Sequence, residues 1–252
     1  MALTGSSSDL TYAIYQVRQA ARQLVEAGVV NQSHLLEVMA DGLEKNQDEV
    51  LEANTLDLEA SLEMAVPDRV LDWLKLTPER VQTTAKILRR LSSLGDPRVL
   101  AQQPLRRMSP SATGYGQVVP LGVIGFVYEA FPELAAIAAG LCVRTGNGLV
   151  LKGGNEASQS NQVIAQILHR ALDRVGLPEE CILSLSPDQG DAARTRLVQA
   201  EGVDLIIPYG RPSLIQQVMR QATISVLPTT MGNCYLYWAA SGDAETVAQL
   251  VL

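Results

Sequence analysis

The chain reads as an α/β protein, with a helical layer over residues 1–98 and a parallel, Rossmann-like sheet over residues 99–252, the two packed as one domain. Three observations predict this. Apolar residues recur at helical spacing as far as Leu91. From residue 118 the period changes, and short apolar runs alternate with amphipathic stretches. Hydrophobic residues make up 47% of the 252, enough for a sizeable core.

In the first part, Leu10, Ile14, Val17, Ala21, Leu24 and Val25 share one helix face, with Asp9 as its cap. Leu35, Leu36, Val38, Met39 and Leu43 continue the pattern after Ser33, and Val50, Leu51, Leu58 and Leu62 carry a third helix. Thr77-Pro78 opens another: a capping oxygen followed by a proline whose missing N–H costs nothing there. That helix runs through Val81, Ala85, Leu88 and Leu91 and stops at Gly95-Asp96-Pro97. Residues 98–117 hold Arg106, Arg107, Ser109, Pro110, Ser111, Gly114 and Gly116, which predict an irregular or hairpin connection and the internal boundary.

Beyond it the apolar runs are Val123–Tyr128, Leu149–Leu151, Ile182–Leu185, Val203–Ile207, Ile224–Leu227 and Tyr235–Trp238. Helices are predicted near 133–144, 158–175, 190–201 and 212–222. Val163, Ile164, Ile167, Leu168, Leu172 and Val175 form one face of the second, which Gly176 and Pro178 end. Strands alternating with helices imply a parallel sheet covered on both faces, and such sheets take ligands outside the carboxyl ends of their strands. The loops after Tyr128, Leu151, Leu185 and Ile207 are therefore in view as a site. Asp243 to Leu252 reads as a further helix with Ala244, Val247, Ala248, Val251 and Leu252 apolar. It ends without a cap or polar tail, as a segment of a longer protein would, or an end packed on a partner.

Composition excludes several classes. Twenty Lys+Arg against 27 Asp+Glu give a net charge of −7, the wrong sign for a nucleic-acid binder, and 4% aromatics supply no base-stacking platform. No apolar run reaches the ~18 residues a membrane span needs. Residues Met1 to Asp9 lack the basic start and apolar core of a signal peptide. Three cysteines without close spacing form neither a disulfide framework nor a zinc site, and a reducing, cytoplasmic setting is expected. His34 and His169 lie in helical segments and read as packed or solvated helix residues, so no metal is expected.

Neither a Gly-x-x-x-x-Gly-Lys-Ser/Thr loop nor a Gly-x-Gly-x-x-Gly turn occurs; Gly114-Tyr115-Gly116 lacks the third glycine. Two glycine-bearing loops remain. Lys152-Gly153-Gly154-Asn155-Glu156 follows a strand and precedes a helix, where bare backbone allows close approach and helix N–H groups favour an anion. Pro208-Tyr209-Gly210-Arg211-Pro212 occupies the same place one strand-helix unit later. Either alone reads as an ordinary turn after a strand; two in corresponding positions of one sheet strengthen the case for binding.

An ordered set of motifs carries a resemblance. Val119-Pro120-Leu121-Gly122-Val123-Ile124-Gly125, Tyr128-Glu129, Leu141-Cys142 and Thr145-Gly146-Asn147 resemble the γ-glutamyl phosphate reductases, also called glutamate-5-semialdehyde dehydrogenases, of the aldehyde dehydrogenase superfamily. So do Gly153-Gly154 with Glu156-Ala157 and Ser160-Asn161, Val203-Asp204-Leu205-Ile206-Ile207-Pro208, and Gly232-Asn233-Cys234. Upstream, Asn54 with Asp57-Leu58-Glu59-Ala60, Asp68-Arg69 and Glu79-Arg80-Val81 also fit. The resemblance covers nearly the whole chain and implies an aldehyde-dehydrogenase-like coenzyme-binding region.

The reaction it implies is NADPH-dependent reduction of glutamyl 5-phosphate to the semialdehyde, in proline biosynthesis. A cysteine thiolate displaces phosphate, and hydride reduces the thioester. In the family the nucleophile lies in a catalytic domain after the helix that corresponds to the last residues here. The resemblance makes Lys152 and Glu156, with Gly153 and Gly154, candidates for the adenosine side of NADP, and Gly210 a candidate for the loop near the pyrophosphate. No catalytic residue is expected in this chain.

The departures point to an eroded site. Where the family reads Tyr-Glu-Ser-Arg-Pro-Asn, this chain has Tyr128-Glu129-Ala130-Phe131-Pro132-Glu133. The arginine before Val-Pro-Leu-Gly is Val118, and Asp-Ala-Ala is Ile137-Ala138-Ala139. Ile-Pro-Arg-Gly-Gly is Ile207-Pro208-Tyr209-Gly210-Arg211, followed by the stiff Pro212, and the family's usual histidines are Thr229 and Tyr235. Cys142 sits in an apolar helix, Cys181 starts a strand, and Cys234 matches a family cysteine other than the nucleophile. Two readings follow: the coenzyme-binding half of the reductase, or a catalytically inactive module, a pseudoenzyme, acting through protein–protein contact. The partners implied are glutamyl 5-phosphate and a homo-oligomer, a separate catalytic half or another protein chain.

Overall fold

A computed structural model describes residues 7–100, 103–109, 112–187, 190–229 and 235–251. The helical layer comprises α1 (Ser7–Glu26), α2 (Gly28–Lys45), α3 (Gln47–Glu63), α4 (Asp68–Leu74), α5 (Pro78–Ser93) and α6 (Pro97–Leu100). An antiparallel hairpin of β1 (Gln103–Ser109) and β2 (Ala112–Gly116) follows, so the expected connection over 98–117 is a hairpin pairing Arg106 with Gly114. The α/β part runs β3 (Val123–Tyr128), α7 (Leu134–Thr145), β4 (Gly148–Lys152), α8 (Ser158–Val175), β5 (Ile182–Ser184), α9 (Gly190–Leu197), β6 (Leu205–Tyr209) and α10 (Pro212–Gln221). The last described helix is α11 (Ala244–Val251), with no buried residue. Among the described residues no helix is long and apolar enough to cross a membrane.

The sheet is parallel with order β5-β4-β3-β6. The chain builds outward from β3 through β4 to β5, then crosses back to place β6 on the far side of β3. The direction of winding therefore switches between β3 and β6, where open α/β sheets leave a crevice. Both central strands are buried along their whole length, as a sheet covered on two faces requires. Their side chains alternate. Ile124, Phe126, Tyr128, Leu149 and Leu151 join one core with Leu36, Met39, Leu88, Ala139 and Leu168. Val123, Val127, Val150 and Ile206 join another with Ile14, Val17, Leu197, Leu214 and Val218. Asp204 ties the N-terminal helix to the sheet: its carboxylate accepts from the Val123 N–H at 2.7 Å and from Arg18 Nη2 at 2.6 Å.

Local signals explain several ends. The Thr77 hydroxyl accepts from the Arg80 N–H, and Pro78 occupies the first turn of α5. Gly176, with φ of 72°, closes α8 in the left-handed conformation.

Other expectations are corrected. Asp9 lies inside the first turn of α1 rather than at its cap, and α2 begins at Gly28, ahead of Ser33. In α3 the inward face is Val50, Ala53, Asn54, Asp57 and Ser61, while Leu62 is 65% exposed. Asn54 and Asp57 find partners across the interface, so polarity misread the face. Helices α4 and α6 were not expected, and α9 stops at Leu197 rather than near 201. Ile224–Leu227 is not a full strand: it contributes one parallel bridge, Ile206 with Val226, bonded through Ser225 O and the Leu227 N–H at 2.9 Å each. It lies on the sheet edge, and Pro228 ends its capacity to donate. Tyr235–Trp238 forms no strand, and its four side chains are exposed. Its apolar pattern has no surface to bury against among the described residues. Gly232-Asn233-Cys234 lies outside the described residues.

Candidate functional site

At the carboxyl ends of β3, β4 and β6 lies a cleft of about 270 Å³. Its floor is Val127 and Tyr128, one wall is Lys152–Glu156, and the other walls come from Asp191 and Arg194 of α9 and from Arg211, Leu214 and Gln217. Three of the four loops in view thus converge here. Among its described residues the loop after Leu185 does not line the cleft; the helix it leads to does.

Lys152 ends β4 and is only 5% exposed. Its Nζ donates to Gly153 O at 2.6 Å and to Asn155 Oδ1 at 3.4 Å. Burial pulls its pKa below the ordinary 10.5, the nearby Glu156 charge opposes this, and the Arg194 charge adds to it. A Cβ on Gly153 would run into the Asn161 amide, and one on Gly154 into the Glu156 carboxylate, so either change makes a neighbour shift. Glu156 folds back over its loop and accepts from the Ala130 N–H at 2.7 Å, tying the β4 loop to the β3 loop. Ala130 adopts φ of 63° there, a strained left-handed conformation for a residue with a Cβ. Tyr128 donates to Asn161 Oδ1 at 2.9 Å, and burial, with the charges of Glu156 and Glu133, raises its pKa so that it remains a phenol.

The motif residues of α3 support this rim from behind. Asp57 accepts from the N–H groups of Gln159 and Ser160 at 2.9 and 2.8 Å, capping α8 from another helix. Asn54 donates to Leu74 O and Ser160 Oγ and accepts from the Leu76 N–H. The first turn of α8, and the loop leading into it, are thereby fixed to the helical layer.

Gly210 does not line the cleft; its neighbour Arg211 does. At φ of 150°, Gly210 lets the chain pass over Glu129, whose side chain a Cβ would strike. Glu129 accepts from the main-chain N–H, Nε and Nη2 of Arg211, the last two at 3.1 and 3.0 Å. This bond raises the Arg211 pKa further above its ordinary value.

Sequence reasoning missed Arg194. Its side chain is 11% exposed and pairs with Asp191 at 3.1 Å, while Nε and Nη2 are buried without an acceptor among the described residues. A single arginine in a predicted helix carries no signal that it will turn inward. Phe131 and Tyr209, where the resemblance expects arginines, meet edge to face at 5.8 Å, and Trp73 stacks on Phe131 at 5.3 Å. Arg80 lies over the Phe131 ring and pairs with Glu133. Burial pushes the Cys142 and Cys181 thiols up to about 12, so neither is a thiolate near neutral pH. His169 Nε2 is hydrogen-bonded to Ile182 O, and no group of three His, Cys, Asp or Glu that could hold a metal occurs among the described residues.

Four parallel strands covered on both faces, with a polar cleft at the winding switch, define a Rossmann-like α/β fold. Comparisons with known proteins narrow the class. The model of the Aldehyde dehydrogenase family matches residues 2–234, and the chain belongs to that family. It is 42% identical to Gamma-glutamyl phosphate reductase 2 of Synechocystis sp., over 98% of this chain and 60% of the relative. It is 41% identical to Gamma-glutamyl phosphate reductase of Gloeobacter violaceus, over 90% of this chain and 54% of the relative. The crystal structure of Gamma-glutamyl phosphate reductase from Thermotoga maritima superposes with a TM-score of 0.81 at 28% identity, covering 88% of this chain and 54% of that one. The chain thus spans little more than half the length of the curated relatives it matches.

Proposed function

We propose that this chain is the coenzyme-binding portion of a γ-glutamyl phosphate reductase, taking NADPH in the cleft between Lys152, Arg194 and Arg211. The collinear match to reductases supports the activity, and the buried cations Lys152 and Arg194 support the coenzyme. Two Arg194 nitrogens, Nε and Nη2, have no acceptor among the described residues, at a cost of about 1–3 kcal/mol each while they stay unpaired. An anionic ligand beside Lys152 offers the missing acceptors, and the 2′-phosphate distinguishes NADPH from NADH. Gly153 and Gly154 both line the cleft, with Asn161 and Glu156 packed where a Cβ would stand. Glu156, Gly210 and the two glycines shape the rim, with Glu156 bracing it through Ala130.

When bound, the coenzyme supplies hydride. The protein's own part is to seat the anion, hold the loop through Asp57 and Glu156, and exclude water along the buried floor at Val127 and Tyr128. Reduction of glutamyl 5-phosphate then needs a thiolate that Cys142 and Cys181 do not offer, and Cys234 matches, by the resemblance, a family cysteine other than the nucleophile; in this reading the attacking sulfur comes from further polypeptide, in the same or another chain. In this reading residues 1–98 and 99–252 work as one domain, alone or in a homo-oligomer, in the cytoplasm; the free buried thiols of Cys142 and Cys181 fit a reducing setting.

The test is calorimetric titration with NADPH and NADH. NADPH binds more tightly, and adding the remaining part of the Synechocystis relative restores semialdehyde formation. No binding at millimolar NADPH refutes the reading. In that case the inactive-module reading, favoured by aromatic Phe131 and Tyr209 at the expected arginine positions, takes precedence; native extract then yields a stable partner complex.

A further inference from the structure

We propose that Arg211 is a diphosphate-binding residue of the cleft, held on Glu129 until a ligand's diphosphate takes its place. The proposal rests on the reading that the cleft takes a dinucleotide. It concerns residues at the tips of β3 and β6, the two strands that flank the winding switch.

Glu129 is 8% exposed, whereas the Arg211 side chain is 48% exposed and lines the cleft. The carboxylate receives three donors from that one residue: its main-chain N–H, Nε and Nη2. A guanidinium has five N–H donors, so three remain without an acceptor among the described residues. Arg211 is also the residue just before α10, whose first turn starts with Pro212 and contributes no N–H at that position. The protein's own carboxylate therefore fills the anion position at the start of α10. Gly210 permits this, because any Cβ there would meet Glu129.

A diphosphate in the cleft meets two opposed influences. Arg211 offers the same two-pronged donor geometry to a phosphate that it offers to a carboxylate. Glu129, a fixed negative charge beside the ligand, repels it and competes for the same donors. The Arg211 side chain is 48% exposed and free to turn toward the cleft, while the buried Glu129 keeps the Arg211 main-chain N–H as a donor. The two ends of one ion pair thus act on the ligand with opposite signs, which a purely structural pair would not do.

The experiment titrates ADP and adenosine into the chain, its Glu129→Gln variant and its Arg211→Gln variant, with circular dichroism as the folding control. Glu129→Gln tightens ADP roughly fivefold and Arg211→Gln weakens it by a similar factor, as loss or release of one such pair predicts. Adenosine, which lacks the diphosphate, is unchanged throughout. If both variants move ADP in the same direction, if neither moves it, or if adenosine shifts as much as ADP, the proposal is wrong. NADPH binding to the unaltered chain separates the outcomes: when it persists, only the role of Arg211 fails, and when it is absent the coenzyme reading fails and this role with it. Should Glu129→Gln not fold, Glu129→Asp, too short to keep all three contacts, carries the same sign.

Discussion

The two rims of the cleft are built differently. The rim after β4 keeps the residue types that the resemblance expects, Lys152, Gly153, Gly154 and Glu156, and each has a geometric reason. The lysine is buried against its own loop, the glycines leave no room for a Cβ, and the glutamate ties back to Ala130. The rim formed after β3 and β6 departs from the pattern, and its changes compensate one another. Phe131 and Tyr209 pack together, and Arg211 pairs with Glu129. The contrast teaches that a backbone-built rim tolerates little change, whereas a rim built of side chains can be rewritten in pairs.

Four substitutions test this difference between the rims. The largest effect is expected at Gly153→Val, which drives a branched side chain into the Asn161 amide and the Tyr128 hydroxyl. It lowers stability by about 2–3 kcal/mol, read by urea denaturation. Lys152→Met follows: it spares the fold but weakens NADPH by about 2 kcal/mol, roughly thirtyfold, read by calorimetry. In the unaltered protein the same lysine sets a pH dependence. Its folded pKa lies below 10.5, so the folded state releases its proton first. Stability from this group therefore rises with pH between the lowered value and 10.5, while NADPH affinity falls over that window. Affinity that holds constant up to pH 10.5 would remove Lys152 from the site.

Asp57→Ala uncaps α8 from the neighbouring helix and costs about 1–2 kcal/mol by thermal unfolding. Because that cap stands behind the β4 rim, NADPH affinity falls as well; stability loss with unchanged affinity would separate the brace from the rim. The smallest change is expected at Phe131→Arg, which restores the residue the resemblance expects. It removes the contacts with Trp73 and Tyr209 and adds a charge beside Arg80, for a loss of about 1 kcal/mol. A gain in stability would show that the aromatic cluster does not compensate for the lost arginines.

Much of the frame was legible in the order of residues. The runs that became β3, β4, β5 and β6, the face and end of α8, and the Thr77-Pro78 start of α5 all rest on local rules of period and capping. The β4 rim was legible too, because a glycine pair between a strand and a helix is itself a local pattern. Arg194 and the Glu129–Arg211 pair were not legible, since their meaning lies in partners on other elements. The inward turn of Asn54 and Asp57 was hidden for the same reason: a polar residue reads as exposed until a distant donor is brought to it. Ile224–Leu227 and Tyr235–Trp238 show the converse failure, in which an apolar run has strand composition but lacks a full neighbour to pair with.

Residue order by itself determined the alternation of helix and strand, the two-sided burial of the central strands and the place of the glycine loops. Those features follow from side-chain period and backbone freedom, which act within a few residues. Tertiary structure alone decided which polar groups were buried and with whom. Asp57 reaches N–H groups 102 and 103 residues away, and Glu129 reaches an arginine 82 residues on. Desolvating such groups is favourable only once folding has delivered their partners.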